Sequence, residues 1–190
     1  MPAEVIGQTL SGIEPPEPAT IYDDCTFVAC HWQQAQLVRC IFRNCRFERC
    51  DLSLSIWTDC RLVDGSFTDC KLVGVDWTRL DWPKIRFTPP LFTNCNLSHT
   101  TWMALTMSDI HYKGCSLREA DFREAKLQGS SWVECDLSGA LFHYTDLQRA
   151  NFVGARNYGI NMMENIITKA HFAMPEAMAL LYTLDILIDE

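Results

Sequence analysis

The hydrophobic pattern of this chain has a period of five. All ten phenylalanines and all six tryptophans stand at numbers ending in 2 or 7, from Phe27 and Trp32 through Phe47 to Trp132, Phe152 and Phe172. All ten cysteines stand at multiples of five, two residues before a bulky one. The unit reads small–polar–bulky–x–x: Cys25-Thr26-Phe27, Cys50-Asp51-Leu52, Ala120-Asp121-Phe122. From Phe27 to Phe152 the frame does not slip over 26 consecutive units. Five matches neither the helical period of 3.6 nor the strand period of 2. It fits a chain that turns a corner every five residues, with the small and the bulky side chain both facing inward. Coils stacked at the strand spacing of about 4.8 Å then form one cooperative solenoid.

Composition adds little beyond this. The 190 residues are 48% hydrophobic and 21% charged, enough for one core. No apolar run approaches the length of a membrane helix. The first twelve residues lack the basic and apolar regions of a signal peptide, and a cytoplasmic location with reduced thiols is expected. The cysteines read as buried fillers, since a disulfide framework would not hold every thiol in one phase and zinc spacings are absent. With 20 residues per coil, Cys30, Cys50 and Cys70 would stack in one column and Cys95, Cys115 and Cys135 in another. Together with Phe27, Trp32, Phe47 and Trp132 they are the expected structural core. None of the five histidines takes an inward position, and no catalytic constellation, metal set, cofactor motif or small-molecule site stands out. An enzyme is not expected.

Regularity lapses in two places. Between residues 75 and 110 most small positions hold larger residues, and Pro83, Pro89 and Pro90 fall in the same stretch, so the rod is expected to be irregular there. After residue 174 the pattern changes to Pro175-Glu176-Ala177 and an apolar run. Pro175 and Glu176 suit a helix start, Ala177, Leu181 and Leu184 form one apolar face, and Leu184 to Ile188 reads as a strand. Three segments follow: an N-terminal arm or cap over 1–24, the repeats over 25–174, and a C-terminal helix and strand over 175–190. That last segment caps the solenoid and offers Pro175, Met178, Leu181, Leu184, Ile186 and Ile188 as a two-fold homodimer interface.

The repeat is similar to that of the pentapeptide-repeat family, in which four units close one square coil. This resemblance implies an all-β, right-handed quadrilateral β-helix with a short C-terminal helix. The tail carries Ala170, Phe172, Pro175, Glu176, Ala177, Leu180, Leu181, Leu184, Asp185 and Ile186 in a spacing that resembles the topoisomerase-protecting branch. That branch contains the Qnr quinolone-resistance and the albicidin- and microcin-immunity proteins. The segments CDLSLSIW, VGVDWTRLDWP and GARNYGINM resemble the albicidin-resistance member. The resemblance implies a dimeric rod that binds DNA gyrase, some members imitating duplex DNA in shape and charge. The alternative is a structural or adaptor rod that docks another cytoplasmic protein.

Charge tempers the idea of mimicry. Net charge is −8, which argues against direct binding to nucleic acid. Five carboxylates lie in residues 1–24 and four in residues 175–190, with no Lys or Arg in either, so residues 25–174 sum to +1. Outward carboxylates recur at Asp51, Asp59, Asp64, Asp69 and Asp109; with Pro83, Pro89 and Pro90 they are the candidate partner contacts.

Overall fold

Nearly every described corner of the chain is made by a residue forced into the left-handed region. Positive φ recurs two residues after the bulky position, as at Asp24 (50°), Gln34 (59°), Arg39 (54°), Leu54 (58°) and Tyr144 (54°). For an ordinary L-residue this conformation costs roughly 1–2 kcal/mol, so something must compensate at nearly every corner. Part of the compensation is local. At many corners the next small residue donates its N–H to the bulky residue's carbonyl, as Ala35 does to Trp32 (3.1 Å) and Ala120 to Leu117 (3.2 Å). A positive φ only at the second central residue is the signature of a type II turn. The rest comes from the ladders between coils.

The computed structural model describes residues 3–83, 87–184 and 186. Every ladder is parallel and in register, and the pairings sort into four faces. The first holds Glu4–Ile6, Ile21–Asp23, Ile41–Arg43 and Arg61–Val63. The second runs through seven strands, from Thr9–Ser11 to Ser131–Val133, and continues as bridges to Asn151 and His171. Bridges join His31, Asp51, Lys71, Asn96, Ser116, Asp136 and Arg156 on the third face. The fourth begins with Gln36–Val38 and Ile56–Thr58 and continues through Asp76, Thr101, Asp121 and Leu141. The result is a right-handed quadrilateral β-solenoid with one short helix, Met178–Leu181. Nine rows on the second face give a rod about 40 Å long at about 4.8 Å per row. Among the described residues no helix is long and apolar enough to cross a membrane.

The coil length is not uniform. The usual step between rows is 20 residues, but Glu4 pairs with Ile21 and Thr9 with Thr26, a step of 17. The N-terminal segment is therefore a shortened coil. A second departure is larger: Ser66 pairs with Leu91, Lys71 with Asn96 and Asp76 with Thr101, a step of 25. The surplus is one whole pentapeptide, and it leaves the wall after Asp81, whose N–H still donates to Cys60 (2.8 Å). Among the described residues the first-face ladder stops there and resumes at Thr106, while the other three continue. The irregularity expected over 75–110 is thus concentrated between residues 81 and 91. Val75, Thr100 and Ile110, large as they are, lie fully buried in the regular wall.

Inside, the second face stacks eight aromatic rings: Phe27, Phe47, Phe67, Phe92, Tyr112, Trp132, Phe152 and Phe172. Their centroids are 4.7 to 5.7 Å apart. Such pairs contribute about 0.5–1.5 kcal/mol each beyond the area they bury. The extra pentapeptide also brings Cys95 into line with Cys70, so the two expected thiol triads form one third-face column of six. All ten cysteines are free and buried. They are donors as well as fillers: Cys50 Sγ donates to Phe27 O (3.5 Å), Cys70 to Phe47 O (3.3 Å) and Cys115 to Phe92 O (3.5 Å). Thr145 and Asn165, at the same unit position, donate to Phe122 O (2.9 Å) and Phe142 O (3.1 Å). The small position is thus where a short donor satisfies a corner carbonyl of the preceding coil. Burial pushes the Cys45 thiol up to about 12, which suits an inert filler.

The same position serves the tryptophans. Trp57, Trp102 and Trp132 donate their indole N–H to Ser55 (2.8 Å), Thr100 (3.1 Å) and Ser130 (2.8 Å), each two residues earlier. Trp77 has Val75 there, and its Nε1 is buried without a partner. Val75→Thr places a hydroxyl where Thr100 has one, with Leu72 O as its acceptor. Equilibrium denaturation should show the variant more stable by about 1 kcal/mol; equal or lower stability contradicts the assignment.

On the third face, Asp136 has a comparable role in the surface. Burial raises its pKa, but donors from Asn157 (3.0 Å), Ser138 (2.6 Å) and the nearby Arg156 outweigh this and hold it at about 2. A depressed folded-state pKa adds stability above the unfolded value near 3.8 that is lost as pH falls toward 2. Asp136→Asn is therefore expected to be less stable than the parent at neutral pH. The difference should shrink across that acid window, and a pH-independent difference in a pH series of melts argues against it.

Candidate interaction surface

Among the described residues no three His, Cys, Asp or Glu side chains are grouped to hold a metal ion. His99 pairs with Glu119 (3.3 Å) and His143 with Glu164 (2.8 Å), but both pairs are exposed and no nucleophile joins either of them. What the described residues offer is wall, corner and the segment inserted between residues 81 and 91.

The loop follows from the surplus pentapeptide. Trp82 and Phe87 occupy bulky positions in the five-residue phase, and both are half-buried against the core. They stack on each other at 5.9 Å, and Trp82 also sits 6.3 Å from Trp77 and donates its indole N–H to Trp77 O (2.8 Å). Pro89 and Pro90 are buried where the chain re-enters the second face, and Pro83 is half-buried near the exit. Proline is suited to both ends, because a chain leaving a ladder has no acceptor for its N–H. The three prolines therefore stand at the two ends of the inserted segment, none of them exposed.

The candidate carboxylates are not brought together. Asp51 lies on the third face, accepts from Ser53 N (3.2 Å) and faces Lys71 at 4.0 Å. Its pKa is lowered: burial raises it, but the hydrogen bonds from Ser53 and the charge of Lys71 prevail. Asp59, Asp64, Asp69 and Asp109 are exposed corner residues with positive φ. Asp64 and Asp109 share one corner with the loop between them, whereas Asp59 and Asp69 each occupy a different one. Some other acids are matched by cations in neighbouring coils: Asp24 by Arg46 (3.5 Å), Asp136 by Arg118 (3.5 Å), and Asp81 by Arg61. The walls are a mixed surface without a continuous acidic stripe. Pairing in space could not be read from a charge count, which gives only the sum.

Exposed apolar side chains gather at the C-terminal end. Met163, Ile166, Met174, Tyr182 and Ile186 are all at least half exposed there. Of the expected interface residues, Pro175 and Ile186 are exposed, Met178, Leu181 and Leu184 are half-buried, and Ile188 lies outside the described residues. The helix covers only Met178–Leu181, with turns before it rather than a helix starting at Pro175. Leu180 is its buried anchor. Met163, Ile166 and Tyr182 were missed by sequence reading, because they continue the repeat or tail pattern and only the end of the stack leaves them uncovered.

A second-face groove of about 450 Å³ beside the loop's re-entry also escaped it. Its outward residues are Leu91, Thr93, His111, Lys113, Ser131 and Val133. They are 20 residues apart in pairs, so only the stacked rows assemble them.

No curated protein sequence matches the chain. Solved structures of QnrB1, a plasmid-mediated fluoroquinolone resistance protein, are similar in fold. A trypsin-treated variant has a TM-score of 0.66 at 14% identity, covering 99% of this chain and 98% of that one. The full-length protein has a TM-score of 0.66 at 16% identity, covering 97% and 100%. Another trypsin-treated variant has a TM-score of 0.51 at 17% identity over the whole of both chains. A family model described as pentapeptide repeat region matches residues 20–102 and 85–162. With the five-residue phase, the four faces and this match, the chain belongs to the pentapeptide-repeat family.

Proposed function

We propose that the chain is a non-enzymatic binding protein that engages DNA gyrase and protects it from a topoisomerase poison of the quinolone, albicidin or microcin type. One observation carries the reading most: the likeness to QnrB1 extends end to end, over 97% or more of both chains, rather than over repeats alone. The tail residues Phe172, Pro175, Glu176, Ala177, Leu180 and Leu181, in the spacing of the topoisomerase-protecting branch, support it independently.

On this reading two copies join at the C-terminal apolar end in the cytoplasm, through Pro175, Met178, Leu181, Leu184 and Ile186, together with Ile188, which lies outside the described residues. The inserted segment with Pro83, Pro89 and Pro90 and the corner acids Asp64 and Asp109 meet the enzyme, since loops on a rigid scaffold often carry recognition. Asp51, Asp59 and Asp69 belong to the outlying surface. Mimicry of duplex DNA would then rest on the rod's shape more than on its charge. The paired, nearly neutral walls favour a second reading, an adaptor rod for another cytoplasmic protein.

A supercoiling assay with purified gyrase separates the two. Added to gyrase and a quinolone, the protein is expected to restore supercoiling in a dose-dependent way, or at high dose to inhibit the enzyme itself. No effect in either direction at any dose, with a quinolone, albicidin or a microcin, favours the adaptor.

A further inference from the structure

We infer that the second-face groove beside the loop is a docking site for an extended, acidic segment of a partner protein. This holds whichever protein the rod serves.

Charge is the first argument. From Ser66 to Ala173 the second face has six rows, with two outward positions in each, and no carboxylate occupies any of them. The other three faces carry Asp136, Asp121 and Asp146 over the same length. The groove's only formal cation, Lys113, is exposed and has no carboxylate within 4.0 Å among the described residues. His111 lies two residues from it in the same row. An anionic group placed over this row gains a partner that the protein itself does not supply.

Shape and apolar surface are the second. Rows at about 4.8 Å form a flat parallel sheet face, and Leu91, about half exposed, and Val133 stand on either side of the His111–Lys113 row. An extended segment laid along the rod can set an acidic side chain over that row and an apolar one on each side of it.

Corner residues confine the register. Asp109 and Glu134 border the groove at its two corners, both exposed, with the Asp109 carboxylate lying over Gly129. They repel an acidic ligand displaced sideways and leave the central row as the favourable place. Such like-charge borders are a common source of specificity.

The test uses the purified protein and a capped synthetic peptide with the core Leu-Ser-Glu-Ser-Leu, whose Leu and Glu side chains share one side of an extended chain, against the same peptide with Gln for Glu. The readout is amide shift changes in two-dimensional NMR. The acidic peptide is expected to bind saturably, with shifts confined to the rows of Leu91, His111 and Ser131, and the Gln peptide at least about tenfold more weakly, a difference of about 1.4 kcal/mol. Lys113→Glu should abolish binding, whereas Asp109→Asn should strengthen it; both sites are exposed, and far-UV circular dichroism checks that the variants fold. Equal binding of the two peptides, no loss in Lys113→Glu, or no saturable binding up to millimolar peptide overturns the inference. Because gyrase is absent, the result is separable from the supercoiling assay.

Discussion

Everything in this molecule depends on the coils stacking in register, because no coil is stable alone. Nearly every described corner holds a residue at positive φ, often one with no intrinsic taste for it, such as Leu54, Tyr144 or Arg149. Each coil interior contains only a few side chains, too few to form a core. Parallel ladders on four faces, aromatic rings stacked at about 5 Å and short donors to the corner carbonyls outweigh that local strain only when repeated along the rod. The demand for register also explains why a single surplus pentapeptide is tolerated. It can leave the wall as one unit without rotating any later residue.

That surplus is also where sequence reading reached its limit. Phase, inward side chains and the solenoid were legible because Cys, Phe and Trp each keep a single residue class modulo five. An insertion of five residues preserves that class, so the frame from Phe27 to Phe152 runs through it without a mark. The prolines at 83, 89 and 90 pointed to the region, but could not distinguish a widened wall from an extruded unit. The large small-position residues, Val75 and Ile110, pointed too broadly, since both fit the regular wall. The single six-thiol column was hidden for the same reason, as its continuity depends on the step of 25 residues.

The candidate surfaces were less legible than the fold. Outward positions carry no periodic constraint, so their grouping depends on which rows become neighbours. Asp59, Asp64 and Asp69 are five residues apart and read as a series, yet successive corners of a square coil point in different directions. His111, Lys113 and Leu91 are far apart in sequence and become neighbours only through the ladder. Among the described residues the rod therefore presents an apolar end and, from Ser66 to Ala173, a stretch of the second face free of carboxylates, on walls of mixed charge.

The central claim is that the wall steps by one extra, phase-neutral pentapeptide, and excision tests it most directly. Deleting residues 82–86 brings Phe87 to the position of Trp82 and gives a step of 20 residues on all four faces from Ile21 onward. Chemical denaturation of the deletion variant should show a single cooperative transition with stability equal to or above that of the parent. Loss of cooperative unfolding, or a fall of several kcal/mol, would mean that these residues are part of the wall and contradict the account.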